Sequence, residues 1–149
     1  TNDFTACKSK LRYLDPKWNG TPEDMIAFGK ECVASKKWGG DVPLTLTEAR
    51  RQIAMDLPRD AQTAYMRMPE VWSDIQASYE RYFEIHPNAG SNLRYPYAWY
   101  AFRCGQMQDF TYQVKLIQDA DGTVKSNYFG GADVFNKLVE TANSETLSN

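Results

Sequence analysis

Between Pro69 and Pro87 the large residues recur at three- and four-residue steps: Trp72, Ile75, Tyr79, Tyr82, Phe83 and, last, His86. Asp74, Gln76, Ala77, Glu80, Arg81 and Glu84 take the other side. This period commits the backbone to an amphipathic helix, because a strand would bring every second residue to one face. Pro69 suits the first turn, and Pro87-Asn88-Ala89-Gly90 is a stop signal. A helix with so broad an aromatic stripe must bury it against other helices.

The rest of the chain supplies them. Thr21-Pro22-Glu23-Asp24 reads as a helix start, with Thr21 as cap, Pro22 in the first turn and two acids at the positive end of the dipole. Met25, Phe28, Cys32 and Val33 follow on one face of a helix ending near Lys36. A second helix is expected over 44–56 with Leu46, Ala49, Ile53 and Ala54 inward, and Leu57-Pro58 ends it. A short helical turn fits 60–67. The stretch 94–105 carries Tyr95, Tyr97, Trp99, Tyr100 and Phe102, which as a helix cover most of its circumference and suit one packed between two others. Phe110, Val114 and Ile117 form the next face. After Gly130-Gly131 a last helix turns Val134, Phe135, Leu138, Val139 and Ala142 inward. Strand is expected only as a short hairpin near 118–129, residues 1–20 as an irregular segment, and 144–149 as a frayed polar tail. The reading is an all-α single domain, 1–149, of antiparallel helix pairs. Trp72, Tyr79, Phe83, Tyr97 and Phe102 are expected in one core.

Composition narrows the function. A chain of 149 residues buries roughly 70% of its unfolded surface without a staple. The net charge is −2 and no Lys/Arg run exceeds two, so the electrostatic footprint for nucleic acid is missing. No apolar run approaches the ~20 residues of a membrane span. Cys7, Cys32 and Cys104 are too far apart in sequence for a local metal site, and their odd number argues against a full disulfide framework. That tilts the expectation towards a reducing, cytoplasmic setting, with export after signal cleavage as the alternative. Phe4-Thr5-Ala6-Cys7 is similar to a lipoprotein processing site, but residues 1–3 carry none of the hydrophobic stretch such a site needs, and that processing is not expected.

A repeat is visible. Ile75, Tyr79 and Tyr82, followed by Pro87, have the spacing of the second helix and closing proline of a tetratricopeptide repeat, and Phe110, Val114 and Ile117 lie 35 residues further on. Ala98 and Gly105 stand where that repeat has a small residue and a turn glycine. Residues 69–118 therefore resemble one full tetratricopeptide repeat preceded by half of another, with Phe110 in place of the family's alanine and Arg94 in place of its first aromatic. Residues 21–143 are also similar to an uncharacterised bacterial family of helical, repeat-like proteins. The tetratricopeptide resemblance implies stacked antiparallel helix pairs and a concave face that binds a protein or peptide. On it, Tyr97, Ala98 and Phe102 pack inward, while Arg94, Tyr95, Trp99 and Arg103 are the partner-binding residues.

Chemistry-bearing residues are sparse. His86 is the only histidine, so any Ser/His/Asp or Cys/His site must use it, with Cys32 or Cys104 as thiol; its place at a helix end beside proline suits a structural role, and catalysis is not expected of it. Asp119-Ala120-Asp121-Gly122 has a calcium-loop look. With Gly122 at the sharp turn, however, the first and last ligand positions are Ile117 and Tyr128, which offer no carboxylate. Trp38-Gly39-Gly40-Asp41-Val42 is echoed by Phe129-Gly130-Gly131-Ala132-Asp133-Val134, without the lysine and hydroxyl of a phosphate loop; a helix entrance is the plainer reading. Glu23, Asp24, Glu31, Asp41 and Glu48 include no spacing that selects a glycosidase pair. Arg50, Arg51 and Arg59 fit acidic partners or a solvated face. The expectation is a non-catalytic interaction module with no cofactor or metal. A carboxylate hydrolase acting on glycans and a structural subunit of a larger assembly are the alternatives.

Overall fold

The computed structural model describes residues 3–36 and 39–148. Among the described residues there is no strand, and the regular structure is eight α-helices and two 3₁₀ turns. The helices are α1 (Asp3–Leu14), α2 (Pro22–Ala34), α3 (Thr45–Met55), α4 (Arg59–Met66), α5 (Pro69–Ile85), α6 (Arg94–Arg103), α7 (Met107–Asp121) and α8 (Ala132–Ser148). The all-α, paired-helix reading holds. No helix among the described residues is long and apolar enough to cross a membrane. The chain packs as two compact units, Thr1–Asn88 and Ala89–Asn149. The five aromatics assigned to a single core divide between them: Trp72, Tyr79 and Phe83 belong to the first unit, Tyr97 and Phe102 to the second.

In the first unit α2 begins on a capping box. Thr21 Oγ1 accepts from the Asp24 amide at 3.1 Å, and Asp24 Oδ2 accepts from the Thr21 amide at 3.2 Å, satisfying two groups the helix start leaves free. α2 and α3 approach closely at Gly29, where a Cβ would stand 2.7 Å from Leu46 Cα. The chain enters α3 through a 3₁₀ turn, Val42–Leu44, and every residue from Val42 to Thr47 is buried. The Ser78 hydroxyl donates to the Pro43 carbonyl at 2.6 Å, tying α5 to that turn. Leu11, Met25 and Ala49 form one apolar cluster with Phe28, Leu14 and Ile53 against it; Cys7, Cys32 and Val42 form another. The segment expected to be irregular is thus a helix, α1. Cys7 and Leu11, one helical turn apart, give it a buried stripe.

The second unit is built on the α6–α7 hairpin. The Gln106 amide donates to Ala101 O at 2.8 Å and the Gly105 amide to Phe102 O at 3.0 Å. These are the paired bonds of a Schellman ending, and they need Gly105 at φ 76°. Tyr97, Ala98, Ala101, Phe110 and Ile117 are buried between the two helices and their neighbours. α7 ends on Gly122 in the left-handed region, as the Asp121-Gly122 turn signal requires.

The expected hairpin near 118–129 is absent. Helix occupies 118–121, and Ser126–Phe129 is a 3₁₀ turn. Burial of one ring decides the matter. Phe129 meets Phe110 edge-on at 6.3 Å and stacks on Phe135 at 5.1 Å, and a single inserted aromatic needs a tight turn rather than a ladder. Gly130 and Gly131, at φ 101° and 110°, make the corner into α8. That helix continues to Ser148, through the tail expected to fray.

Candidate functional site

The expected partner-binding residues lie along α6, and the structure separates them. Tyr95 is 5% exposed. Its ring stands among Tyr128 and Phe129, at 5.3 and 5.9 Å, and its hydroxyl accepts from the Lys125 amide at 2.9 Å. It pins the turn after α7 and lines no surface, so its assignment as a contact residue is corrected. The full aromatic circumference of α6 gave no way to choose its inner face. Arg94 is half-buried, with Nη1 donating to Gln113 Oε1 at 2.9 Å. Arg103 is also half-buried. Trp99 is 37% exposed and stacks flat on Phe102 at 6.2 Å. Of the four, Trp99 is the residue presented to solvent.

A larger opening runs between α7 and α8. At one end Gln108, Thr111, Tyr112 and Lys115 face Asn143, Thr146 and Leu147 around a cavity of about 560 Å³. At the other, Val114 and Gln118 face Phe135 and Val139 around about 480 Å³. Rising numbers on α7 meet falling numbers on α8, so the helices are antiparallel, and Thr111 and Lys115 line both cavities, making them one groove. Most of its exposed lining is apolar, with Gln108, Thr111, Gln118, Asn143 and Thr146 adding polar groups along the walls. Tyr112 is 58% and Leu147 87% exposed. Lys115 is paired with Asp119 at 3.1 Å, so its charge is already countered.

Two features of α8 open this groove. Ala142 is the only buried residue among the described side chains of the helix. Val134, expected inward, is 45% exposed, because the Gly130-Gly131 corner starts the helix with that side chain lying back over Gly130. Phe135, Leu138 and Val139 are half-buried. The apolar face of α8 is therefore broader than the surface that covers it. Sequence reasoning missed the groove by following one face of α7 (Phe110, Val114, Ile117) and by ending α8 early. The spacing of Gln108, Tyr112 and Lys115 was the available signal for a second face.

Several other candidates are engaged in local structure. His86 caps α5; its Nε2 is 2.9 Å from Gly40 O, which fixes it as the proton-bearing donor, and its ring lies 4.5 Å from Tyr82. Asp119 is taken by Lys115, and Asp121 Oδ2 accepts from the Ser91 hydroxyl. No group of three or more His, Cys, Asp or Glu able to hold a metal ion occurs among the described residues. In the first glycine loop Trp38 lies outside the described residues; Gly40 takes φ 62° ahead of the 3₁₀ turn. Asp24 is spent in the capping box. Glu48 receives two bonds from Arg51, at 2.9 and 2.6 Å; burial would raise its carboxyl, but the guanidinium outweighs this and holds it below its usual value. Arg50 is not offered to a partner. Its Nε and Nη2 reach Asp74 Oδ2 at 2.9 and 2.8 Å, and Nη1 donates to the Tyr65 hydroxyl at 2.9 Å.

Comparison with known proteins finds no matching family model, no matching curated protein and no matching solved structure. The α7–α8 groove and the exposed Trp99 are the surface features on which a functional reading can be built.

Proposed function

We propose that this chain is a non-catalytic interaction module whose α7–α8 groove seats an amphipathic helix of a partner protein. The supporting observation is the continuous, mostly apolar groove, with Tyr112 and Leu147 left outside the core on opposite walls. Its lining fixes the chemistry of the guest. Apart from Lys115, which Asp119 neutralises, the side chains are apolar or uncharged, so the guest stripe is apolar with uncharged polar flanks. From Gln108 to Gln118 the groove spans ten residues of helix, or about 15 Å, which matches a guest of about three turns with anchors at i, i+3/4 and i+7. The α6–α7 hairpin supports a tetratricopeptide-like reading of the second unit, with Ala98 fully buried at the helix contact and Gly105 in the turn.

The test is a titration of isotope-labelled protein with a synthetic amphipathic peptide of about eleven residues bearing a leucine stripe. Chemical-shift changes are expected to cluster on Thr111, Tyr112, Lys115, Val139 and Leu147. Tyr112→Glu should weaken binding at least tenfold, about 1.4 kcal/mol, whereas a scrambled peptide of the same composition should produce no cluster. Shifts that map away from α7 and α8 would remove the groove from consideration.

A further inference from the structure

Two cysteines that are 25 positions apart in sequence meet inside the first unit. Cys7 on α1 and Cys32 on α2 are both buried, and their sulfurs are 3.9 Å apart. Val42 and Phe28 complete the cluster around them. Above the pair the two helices part into a cleft of about 370 Å³, lined by Asp3, Ala6, Lys10, Phe28 and Glu31 as well as both cysteines. The pair thus has the proximity a covalent bond needs and a path by which a small reagent can arrive. α1 is held by the buried Cys7 and Leu11, by Leu14 packed against the Leu11 cluster, and by Lys10 over the Phe28 ring at 4.4 Å. Cys104 is buried in the other unit.

We propose that Cys7 and Cys32 are an oxidation site, closing an intramolecular disulfide that fastens α1 to α2 when the chain meets a small-molecule or protein disulfide as oxidant. The step is two successive thiol–disulfide exchanges. One cysteine, as thiolate, attacks the oxidant's S–S bond, forming a mixed disulfide in the cleft and expelling one thiolate. The second cysteine gives up its proton, attacks the protein-side sulfur and expels the other thiolate. Two electrons pass to the oxidant, and the two protein protons end on its two thiols. Burial pushes the Cys32 thiol up to about 12, the Thr45 hydroxyl opposing, so Cys32 suits the second, intramolecular attack, where proximity offsets a scarce thiolate. The disulfide also removes loop freedom from the unfolded chain.

The experiment uses the full chain refolded in a glutathione redox buffer and, in parallel, in a phosphine reductant. Non-reducing peptide mapping should join the Cys7 and Cys32 peptides, with Cys104 still open to alkylation after denaturation. The oxidised form should melt about 10 °C or more above the reduced form, with slower amide exchange through Asp3–Leu14. Cys104→Ser should keep the bond and the shift, and Cys7→Ala should abolish both. Because Cys7 is a core residue, Cys104→Ser carries the test if Cys7→Ala folds poorly. An oxidised monomer linked through Cys104, or Cys104→Ser remaining fully alkylatable at Cys7 and Cys32 after refolding in oxidised glutathione, would overturn the proposal. So would a melting point lowered by the bond.

Discussion

At the centre of the first unit Arg50 and Asp74 are both buried and joined through two nitrogens, with Tyr65 as a third partner. At the centre of the second unit the largest buried groups are Tyr97 and Phe110, with Phe129 wedged against Phe110 and Phe135. One interior is organised by directional polar bonds and the other by ring contacts. The difference has a physical origin in the helices. α3, α4 and α5 bring an arginine, a tyrosine and an aspartate to one place, and low dielectric makes their mutual bonds strong and their separation costly. α6 offers five aromatics and few inward polar groups, so shape decides its packing. Polar centres fix register, because a shifted helix strands a charge. Aromatic centres tolerate a shift more easily, and there the turn glycines 105, 122, 130 and 131, all at positive φ, supply the precision.

The sharpest way to break this contrast is to remove one group from each centre. Asp74→Ala should destabilise the chain by about 3–5 kcal/mol, mostly through the uncompensated Arg50 charge. Replacing both partners with apolar residues, Arg50→Met with Asp74→Leu, should recover most of that loss. Phe110→Ala should cost a similar ~3–5 kcal/mol, but a double substitution with its ring partner Phe129→Ala should lose more. Chemical denaturation of the four proteins checks it. If the apolar double in the first unit is no better than Asp74→Ala alone, the polar centre is not held by that pair.

A weaker effect separates the units by pH. The folded chain keeps the Cys32 proton to about 12, while the free thiol ionises near 9. The folded state therefore binds more protons across that window, and the sign follows. Stability from this group is complete below about 9 and is lost as pH rises towards 12. At pH 10.5 the reduced chain should have lost about 2 kcal/mol through Cys32. Burial also raises the Tyr82 phenol, aided by Asp41, and the Tyr128 phenol, so both units decline further in strong alkali. The slope of stability against pH between 9 and 10.5, compared for wild type and Cys32→Ala under reductant, isolates the thiol. Parallel slopes would mean that the first unit does not hold that proton.

The same contrast explains what could be read from the sequence. Period and punctuation located α2 to α7 because each has a proline, glycine or cap at its boundary and an apolar stripe between. Periodicity is local, and what failed was non-local. Arg50 and Asp74 read as surface charges, since nothing in one helix announces a partner 24 positions away. Cys7 and Cys32 read as unrelated for the same reason. Tyr95 went to the wrong face because a helix with aromatics all round carries no directional signal. The α7–α8 groove escaped because it is a shortage of cover, and a sequence shows which residues want burial without showing how much surface is left to bury them.

The smallest expected effect bears on that shortage. Phe110 and Tyr112 sit two residues apart on α7, and their environments are opposite: 1% against 58% exposed. Leu147, at 87% exposed, is the counterpart on α8. A residue already in water has little burial to lose, so Tyr112→Ser and Leu147→Ser should each change stability by no more than about 0.5 kcal/mol. That is an order of magnitude below Phe110→Ala on the same helix. If Leu147→Ser costs as much as a core truncation, α8 is packed more tightly than its exposure shows, and the groove is part of the second unit's core. If both serine variants keep the wild-type denaturation midpoint yet lose the leucine-stripe peptide, surface that contributes nothing to folding is what binds. Exposed apolar side chains kept in a continuous groove carry a solubility cost, which contact with the proposed guest would offset.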